Sequence, residues 1–347
     1  MRAALFESFQ KGLRVCNVDA PKSHPDSVII KVEACGICRS DWHGWMGHDS
    51  DVQLPHVPGH ELAGVVEETG NSVRNFGSGQ RVTVPFCCGC GTCIQCVGGN
   101  QQICDRYTQP GFTQWGAFAE YVEIRHADVN LVALPDSLSS VTAASLGCRF
   151  ATSFRAIVFQ GDVTAGDIVA IHGCGGVGLS AVMIASALGA RVVAVDIDEA
   201  KLMFAKQCGA DITLNAAECD NIAQAIIELT GGRGASMSMD ALGSRTTCYN
   251  SVACLAKQGR HVQVGLTLGT DADPPIPMSL VIGKELKIIG SHGMQAFQYP
   301  LMLRMIESRR LSPEKLIQRL ATLDEACSIL PKMNSFPGQG VIVIDRF

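Results

Sequence analysis

The chain has 347 residues, of which 47% are hydrophobic and 18% are charged, and its formal net charge is −5. This composition is typical of a globular enzyme with sizeable cores, and the length favours two domains. Because the small negative charge comes without any basic block, binding to nucleic acid or to an anionic membrane is disfavoured.

The N-terminus and the cysteine content indicate the compartment. Residues Met1–Glu7 hold too short an apolar run for a signal peptide, and no apolar stretch of the sequence is long enough to span a bilayer. The sixteen cysteines cluster at metal-binding spacing in a long chain, unlike the framework of a small secreted domain. We therefore expect reduced thiols and a cytoplasmic location.

The first third of the chain is predicted to be rich in β-structure, because short apolar runs alternate with Gly, Pro and Asn. Strands are predicted at Val28–Val32, Leu62–Glu67, Gln80–Val84 and Ala117–Val122. Phe112 and Trp115 precede the last of these strands in a glycine-rich turn. They are interpreted either as the lining of a substrate pocket or as ordinary core residues.

Three separated residues in this region and beyond it offer the ligands of a metal site. Cys38, His60 and Cys148 supply two thiolates and one imidazole, which suit a catalytic zinc with an open fourth position. Taken alone, Cys38 is better explained as a buried structural thiol, since free cysteines are commonly buried. The rest of the sequence favours the metal site.

Residues 87–105 are predicted to form a cysteine-rich lobe that binds structural zinc. Its four closely spaced cysteines are Cys90, Cys93, Cys96 and Cys104. Four thiolates at this spacing form a closed tetrahedral cage, and the metal would supply folding free energy that the small apolar content cannot. An iron–sulfur cluster is the alternative, because similar spacing also binds clusters. The neighbouring Cys87 and Cys88 could compete as ligands.

From about residue 150 the pattern changes to alternating strands and helices. A predicted strand, Asp167–His172, leads directly into a G-x-G-x-x-G motif and then into an apolar helix, Leu179–Leu188. The next predicted strand, Arg191–Val195, ends at Asp196, which follows Gly173 by 23 residues. A strand, this motif, a helix and a later acidic residue together predict a dinucleotide-binding turn.

Each part of the motif has a physical role. Gly173 permits the tight turn, Gly175 lets the backbone approach a pyrophosphate, and Gly178 lets the helix and strand pack closely. The helix N-terminus offers N–H groups and a positive dipole end to phosphate. Asp196 would accept hydrogen bonds from the adenosine ribose and repel a 2′-phosphate, so NAD is favoured over NADP. A glycine-rich turn with a capping Asp is the alternative.

The alternation predicts a doubly wound sheet of about six strands. Further strands are predicted at Asp211–Leu214, Ser236–Asp240, Arg260–Val264 and Leu286–Ile289. Helices are predicted at Asn221–Leu229, Thr246–Ala256, Gln295–Ser308 and Asp324–Lys332. A last strand, Gly340–Ile344, is expected to return to the first domain.

Together these motifs resemble the zinc-containing alcohol dehydrogenases of the medium-chain dehydrogenase/reductase superfamily over nearly the whole chain. The residues that carry the resemblance are Gly36–His43, Pro58–Glu61, the four lobe cysteines, Gly147–Cys148, and Gly173–Gly178 with Asp196. The resemblance implies an α/β protein with a β-rich, GroES-like catalytic domain and a doubly wound, parallel-sheet Rossmann domain that binds NAD. The implied domains are 1–149 with 291–347, and 150–290.

The resemblance also assigns the catalytic residues. Cys38, His60 and Cys148 would bind catalytic zinc, and Glu61 behind the metal would assist ligand exchange. Asp41 would hydrogen-bond a zinc-ligand imidazole and fix its tautomer.

A proton relay and a cofactor site are implied as well. Ser40 and His43 would pass a proton through the nicotinamide ribose to solvent. Cofactor contacts are expected from Arg39, His43, Thr152, Gly173, Gly175, Gly176, Val177, Gly178, Asp196, Lys201, Val264 and Leu266. The expected substrate pocket is lined by Ser40, Trp45, Phe86, Trp115 and Leu266. Gln339 stands near the position of an arginine that contacts the pyrophosphate in family members, so weaker NADH binding is expected here.

The remaining histidines have simpler interpretations. Four of them are interpreted as surface residues: His24, His48, His56 and His126. His292 is interpreted as either a pocket or a surface residue. His172 ends the first nucleotide strand, where family members usually carry an apolar residue, and the sequence offers no explanation for it.

The expected activity is reversible, NAD-dependent oxidation of primary or secondary alcohols to aldehydes or ketones, with two zinc ions per chain. A polyol or amino-alcohol dehydrogenase is the alternative, although the polyol branch often carries a carboxylate where Cys148 stands. A non-catalytic nucleotide sensor is disfavoured by the intact ligand set, and a zinc-ribbon binding module by the lack of a basic patch. We expect a homotetramer, otherwise a homodimer.

Overall fold

The computed structural model describes residues 1–335 and 339–347, which divide into two units. The first unit comprises Met1–Ala151, Gly293–Glu307 and Ile317–Phe347, and the second comprises Thr152–His292 and Ser308–Leu316. No helix in the described ranges is long and apolar enough to cross a membrane. The run expected to face the pyrophosphate begins at Gly338, which lies outside the described residues.

The first unit begins with seven strands and four short helices. The strands are β1 (Arg2–Leu5), β2 (Arg14–Asn17), β3 (Val28–Ile37), β4 (Glu61–Thr69), β5 (Arg81–Thr83), β6 (Tyr121–Ile124) and β7 (Val132–Ala133). The helices are α1 (Arg39–Met46), α2 (Ile94–Val97), α3 (Ala127–Asn130) and α4 (Ser140–Ala144). A 3-10 turn covers Gln101–Ile103, and a π-helical turn covers Leu146–Phe150.

The second unit is built on alternating strands and helices. Its strands are β8 (Ile168–His172), β9 (Arg191–Asp196), β10 (Ile212–Asn215), β11 (Ala235–Asp240), β12 (Leu255–Gln263) and β13 (Lys287–Gly290). The helices are α5 (Ala151–Phe154), α6 (Gly176–Ala187), α7 (Glu199–Gln207), α8 (Ile222–Leu229), α9 (Arg245–Ala253) and α10 (Met278–Lys284). A π-helical stretch, Arg155–Gln160, follows α5, and 3-10 turns cover Gly269–Asp271 and Pro313–Leu316.

The C-terminal part of the chain returns to the first unit. It supplies α11 (Tyr299–Glu307), β14 (Ile317–Thr322), α12 (Leu323–Ile329) and β15 (Val341–Arg346). The 3-10 turns Ala296–Gln298 and Leu330–Ser335 precede α11 and follow α12. The helix predicted to start at Gln295 therefore becomes a 3-10 turn followed by α11.

The two sheets explain why the two halves of the sequence look different. In the second unit the order is β10-β9-β8-β11-β12-β13, and every pair is parallel. Its central strand β8 is buried along most of its length, as expected for a parallel strand covered by helices on both faces. The first unit has the mostly antiparallel order β14-β15-β3-β4-β5-β7, with β6 also paired to β3. The predicted fold class is confirmed.

The strand predicted at Ala117–Val122 begins later than expected, because its first residues bond to a loop. The N–H of Ala117 donates to the carbonyl of Gly59 at 2.8 Å, and that of Phe118 donates to Pro58 at 2.9 Å. Gly59 has a φ of 108°, and a Cβ there would lie 2.6 Å from the Phe118 nitrogen. The hydrogen bonds of Ala117 and Phe118 therefore fix the position of the loop that leads into His60.

A buried polar network runs through the six-stranded sheet of the second unit. The hydroxyl oxygen of Ser251 lies 2.6 Å from that of Ser238 and 2.8 Å from Nδ1 of His261. Nε2 of His261 lies 3.1 Å from Oε1 of Gln263, whose amide donates to Asp240 at 3.0 Å. Because these polar groups bond to one another, they are accommodated inside an otherwise apolar sheet.

His172, for which the sequence offered no explanation, lies beside this network. It is 1% exposed, and its Nε2 lies 3.8 Å from Sγ of Cys254. Burial lowers the pKa of His172 to about 4, with the Asp240 carboxylate acting in the opposite direction and the His261 ring adding to the decrease. The ring is therefore a neutral part of the interior at neutral pH.

We expect acid to destabilise the protein through His172. Because the pKa of His172 falls from 6.5 to about 4 on folding, the unfolded chain binds the proton more tightly. Its contribution to stability is complete above pH 6.5 and is lost as the pH falls toward 4, by about 3 kcal/mol in total.

Urea unfolding of the wild type and of His172→Leu at pH 7, 5.5 and 4.5 measures this effect. The stability of the variant relative to the wild type should rise steadily as the pH falls. A pH-independent difference for His172→Leu would contradict the assignment.

Candidate functional site

Strand pairing in the first unit brings Cys38 and His60 together. Gly36 near the end of β3 lies opposite Glu61 at the start of β4 in the antiparallel register. Cys38 follows β3 directly and caps the N-terminus of α1, while His60 directly precedes β4. A Cβ at Gly36 would collide with the Glu61 carboxylate, so the close approach requires glycine.

The Asp41 carboxylate fixes the relative positions of these two segments. Its Oδ2 accepts the N–H of Cys38 at 3.1 Å, and its Oδ1 accepts the N–H of Gly59 at 2.9 Å. Oδ1 also lies 2.7 Å from Nδ1 of His60. Since an ionised carboxylate only accepts, Nδ1 of His60 carries the hydrogen, and in the neutral ring Nε2 keeps the lone pair that a metal ion could take.

Cys148 reaches the same place from the π-helical turn Leu146–Phe150. The carbonyl of Gly147 accepts the N–H of Phe86 at 3.2 Å. A Cβ at Gly147 would lie 3.1 Å from Cα of Glu61, so this turn packs tightly against the start of β4. The four ligand atoms that meet within 4.8 Å of one another come from Cys38, His60, Glu61 and Cys148.

This arrangement fits a bound metal ion. The His60 side chain is fully buried, and among the described residues its Nε2 has no hydrogen-bond partner. A buried acceptor left alone is costly, and a metal ion would satisfy it. Cys148 donates toward Cys38 and lowers the pKa of the Cys38 thiol well below its ordinary value. Two thiols and one oriented imidazole match the three protein ligands of catalytic zinc.

Arg149, which the sequence analysis missed, neutralises Glu61. The Arg149 Nε donates to Glu61 Oε1 at 2.9 Å, and Nη2 donates to Oε2. The backbone N–H of Arg149 also donates to Oε1, at 3.3 Å. Burial raises the pKa of Glu61, while the Arg149 cation acts in the opposite direction. An arginine immediately after a candidate metal-ligand cysteine was the available signal, since a buried cation needs a partner.

The cysteine lobe forms a second possible metal cage. The four sulfurs of Cys90, Cys93, Cys96 and Cys104 lie within 4.8 Å of one another, and these residues cluster together without other buried apolar residues. Sγ of Cys93 accepts the N–H of Cys96 at 3.4 Å, and Sγ of Cys104 accepts that of Cys90 at 3.3 Å. The backbone N–H of Thr92 lowers the pKa of Cys90 to about 5, which favours a thiolate ligand.

Cys87 and Cys88 lie outside both ligand clusters that the described residues form. Both are buried, and the Cys88 thiol donates to the carbonyl of Pro85 at 3.5 Å. Burial raises the pKa of Cys88 well above its ordinary value, so this thiol stays protonated. Cys88 is thus a poor competitor for the lobe metal.

The aromatic residues predicted to line the pocket differ in their distance from His60 and in their exposure. Phe86 and Phe112 pack edge-on against His60, with ring centroids 6.2 and 5.4 Å away. Trp45 is buried, whereas Trp115 is 36% exposed and donates to the carbonyl of Pro55 at 2.9 Å. Phe86 therefore lies beside the metal-ligand imidazole, as Phe112 does.

The relay residues and Arg39 project from the first turns of α1. The Ser40 hydroxyl lies 3.8 Å from Sγ of Cys38, and its side chain is half-buried. His43 is also half-buried, one turn further along the helix. Arg39 is exposed and donates to Oδ1 of Asn334 at 3.1 Å.

The predicted dinucleotide turn lies between β8 and α6. Gly173 has a φ of 95°, Gly175 caps α6, and Gly176, Val177 and Gly178 form its first turn. A Cβ on Gly178 would collide with the carbonyl oxygen of Gly173, so the helix and strand approach as closely as glycine allows. Oδ2 of Asp196 accepts the N–H of Cys174 at 2.6 Å, which ties the end of β9 to this turn.

The other predicted cofactor residues of the second unit surround the same sheet. Lys201 lies on α7, 4.0 Å from Asp198, and Thr152 is buried near the start of the unit. Val264 follows β12 and donates to the carbonyl of Asp240 at 3.1 Å, while Leu266 is 58% exposed.

One of the four histidines interpreted as surface residues is buried, so that interpretation was wrong for His56. His56 is 2% exposed, because its backbone pairs with that of Phe6 and its ring packs against the Phe6 ring at 5.7 Å. His24 and His48 are exposed, His126 is half-buried, and His292 is exposed.

Comparisons with known proteins match both units. Models of the alcohol dehydrogenase GroES-like domain and of the zinc-binding dehydrogenase match residues 24–136 and 176–308. An alcohol dehydrogenase of Geobacillus stearothermophilus is 38% identical over 84% of each chain. The chain belongs to the zinc-containing alcohol dehydrogenases of the medium-chain dehydrogenase/reductase superfamily.

Other relatives match most or all of the chain. An NAD-dependent alcohol dehydrogenase of Sulfurisphaera tokodaii is 33% identical over 98% of both chains, and a sorbitol dehydrogenase of Halalkalibacterium halodurans is 30% identical over 88% of both. The solved structure of an alcohol dehydrogenase from Thermus sp. ATN1 matches all of both chains with a TM-score of 0.92 at 29% identity. Membership makes the protein an oxidoreductase.

The buried pair of Glu61 and Arg149 gives a testable prediction. Arg149→Met leaves an uncompensated buried carboxylate and should lower the free energy of unfolding by roughly 3–5 kcal/mol. Adding Glu61→Gln should recover part of the loss, because the double variant buries no charge.

The exposed pair of Arg14 and Glu7 supplies the matched control. The two side chains are 63% and 64% exposed, so Arg14→Met should cost less than about 1 kcal/mol. Urea unfolding of the wild type, the two single variants and the double variant measures these free energies. Equal losses of unfolding free energy in Arg149→Met and Arg14→Met would refute the importance of burial.

Proposed function

We propose that the protein is a zinc- and NAD-dependent alcohol dehydrogenase that interconverts small primary or secondary alcohols with aldehydes or ketones. The observation that carries this proposal is the ligand set of the buried Cys38 and His60 with the half-buried Cys148, in which Nε2 of His60 has no partner among the described residues. The names of the alcohol dehydrogenases that match most of the chain support the reaction class.

We assign two zinc ions to each chain, one to this ligand set and one to the cysteine lobe. Catalytic zinc would supply a Lewis acid that polarises the alcohol oxygen, and NAD would accept the hydride. The chain's own residues position and deprotonate the substrate. Asp41 holds the His60 imidazole in one tautomer, and Phe86 with Phe112 limits the access of water to that ring.

Ser40 and His43 are proposed to carry away the alcohol proton. The Ser40 hydroxyl lies 3.8 Å from the Cys38 sulfur, close enough to the ligand set to accept a proton from a substrate hydroxyl there. His43 lies on the same helix, and its burial lowers its pKa, so the ring is neutral and can act as a base near pH 7.

The preference for NAD is assigned to Asp196. Its carboxylate ends β9 and accepts the N–H of Cys174, so it is held beside the proposed pyrophosphate turn. A negative charge there would repel the 2′-phosphate of NADP. Contacts from Arg39, Thr152, Lys201, Val264 and Leu266 remain part of this proposal.

A polyol dehydrogenase is the second candidate, because the sorbitol dehydrogenase of Halalkalibacterium halodurans matches most of the chain. Cys148 disfavours it, as the polyol branch often carries a carboxylate at this position. The proposed assembly is a homotetramer, otherwise a homodimer.

Removal of one thiol tests the proposed reaction and the two-metal assignment together. The unmodified protein should contain two zinc ions per chain and should reduce NAD with ethanol, butanol or 2-propanol faster than with sorbitol. Cys148→Ser should lose turnover and retain only the lobe zinc, since a three-ligand site without one thiolate binds zinc poorly.

Cys248→Ser, a substitution at a buried thiol of α9, is the matched control and should keep both zinc ions. The assays are zinc analysis by mass spectrometry and NADH absorbance. One zinc ion per chain, or iron, in the unmodified protein would refute the assignment, and preferential oxidation of sorbitol would favour the polyol candidate.

Substitution of the carboxylate at Asp196 tests the coenzyme preference. Asp196→Asn keeps an oxygen for the Cys174 N–H but removes the charge, so the ratio of kcat/KM for NADP to that for NAD should rise roughly 10-fold. The exposed Asp220→Asn variant serves as the control. Equal use of both coenzymes by the unmodified enzyme would remove Asp196 as the determinant.

A further inference from the structure

Two histidines meet at the C-terminal end of α1. Nδ1 of His43 lies 3.0 Å from Nδ1 of His48, which is within hydrogen-bond distance. Trp42 packs edge-on against both rings, with centroids 4.9 Å from His43 and 5.6 Å from His48. From the sequence, His48 was interpreted as a surface residue, and the proposed function gives it no role.

The backbone explains why these two rings are neighbours. The N–H of His48 donates to the carbonyl of His43 at 3.0 Å, and the N–H of Gly47 donates to that of Gly44 at 3.1 Å. Gly47 is left-handed, with a φ of 80°. These two bonds and the left-handed glycine define a Schellman motif, whose geometry brings together the side chains at the positions of His43 and His48.

The short distance between the nitrogens requires one hydrogen between them. In a neutral imidazole one ring nitrogen donates and the other accepts, so one of the two rings must donate from Nδ1 and the other must accept at Nδ1. If His43 donates, its Nε2 has a free lone pair and can take up a proton. If His48 donates, Nε2 of His43 carries a hydrogen and cannot act as a base.

We propose that His48 is a positioning residue that accepts the Nδ1 hydrogen of His43 and so keeps Nε2 of His43 free to act as the base in alcohol oxidation. The inference rests on the proposed role of His43 in the proton relay. His48 does the same for His43 that Asp41 does for His60, because in both cases an acceptor at Nδ1 selects the tautomer.

The electrostatic surroundings of His43 agree with a neutral ring. Burial lowers the pKa of His43, and the Arg39 cation and the His48 ring lower it further. The Cys38 thiolate and the Asp49 carboxylate act in the opposite direction.

One element packed against α1 adds little charge near the histidine pair. This element is the 3-10 turn Leu330–Ser335, whose one charged residue, Lys332, is exposed. Asn334 of the same turn accepts a hydrogen bond from Arg39. Only a neutral imidazole has two tautomers, so the neutral form of His43 is the one in which an acceptor at Nδ1 decides whether Nε2 can act as a base.

The proposal makes alcohol oxidation depend on the protonation of two rings. A protonated His48 carries hydrogens on both nitrogens and cannot accept from His43. Acid therefore stops oxidation both by protonating His43 and by removing its acceptor. Because a proton on either ring is enough to remove the base, the acid limb of the kcat profile belongs to the pair of rings.

Three variants test the proposal in the zinc-loaded enzyme. His48→Ala removes the acceptor and should lower kcat for alcohol oxidation roughly 10-fold, about the value of one lost hydrogen bond. His48→Asn places an amide oxygen where Nδ1 was and should restore most of the activity. Because this amide does not take up a proton, the acid limb of His48→Asn should reflect the protonation of His43 alone. His24→Asn, at an exposed histidine, should leave the profile unchanged.

A double variant and a spectroscopic measurement separate this proposal from that for His43. In the His43→Gln background, His48→Ala should cause no further loss, because His48 acts through His43. In NMR spectra of the enzyme with ¹⁵N-labelled histidine rings, Nε2 of His43 should be unprotonated in the wild type and in His48→Asn, and partly protonated in His48→Ala. The His43 signals are assigned from their absence in His43→Gln.

The outcomes separate two questions: whether His43 belongs to the proton relay, and whether His48 positions His43. Full oxidation activity in His43→Gln would refute the relay, whereas the NMR signals would still show which tautomer His48 selects. A wild-type kcat in His48→Ala, an Asn variant as slow as the Ala variant, or a hydrogen on Nε2 of His43 in the wild type would overturn the role of His48.

Discussion

The buried carboxylate of Asp41 fixes the relative positions of the segments that carry Cys38 and His60. It accepts hydrogen bonds from the N–H groups of Cys38 and Gly59 and from the imidazole of His60. A buried charge is stable only when it is compensated in this way. Because the same carboxylate bonds to the backbone of one proposed metal ligand and to the ring of another, it sets both the distance between them and the direction of the Nε2 lone pair.

Those parts of the structure that depend on short stretches of sequence could be predicted. The strand, glycine turn and helix around Gly173–Gly178 have local spacing that defines their geometry, and the sheet of six strands follows from the repeating pattern. The same is true of the cysteine lobe, since all four sulfurs come from one short segment. For Cys38, His60 and Cys148 the sequence supplied the ligand types, and the family resemblance supplied their grouping.

Features that depend on distant contacts could not be predicted. The partner of Glu61 is Arg149, which lies 88 residues away, and no periodicity connects the two. His56 is buried because its backbone pairs with Phe6, and the first residues of the strand predicted at Ala117–Val122 bond to the loop before His60. The contact between His43 and His48 is different, because Gly47 after a short helix is a local signal for the motif that produces it.

The two contacts that hold the ligand set in place differ greatly in how much chain must be closed to form them. Asp41 and His60 are 19 residues apart, whereas Glu61 and Arg149 are 88 apart, about two doublings of loop length. By chain-entropy reasoning the longer loop costs only roughly 1 kcal/mol more to close. The cysteine lobe lies inside this longer loop. A family built on this plan can therefore enlarge, shorten or delete the lobe at little entropic cost to the ligand set, as long as Gly147 and Arg149 still anchor the returning chain at Glu61.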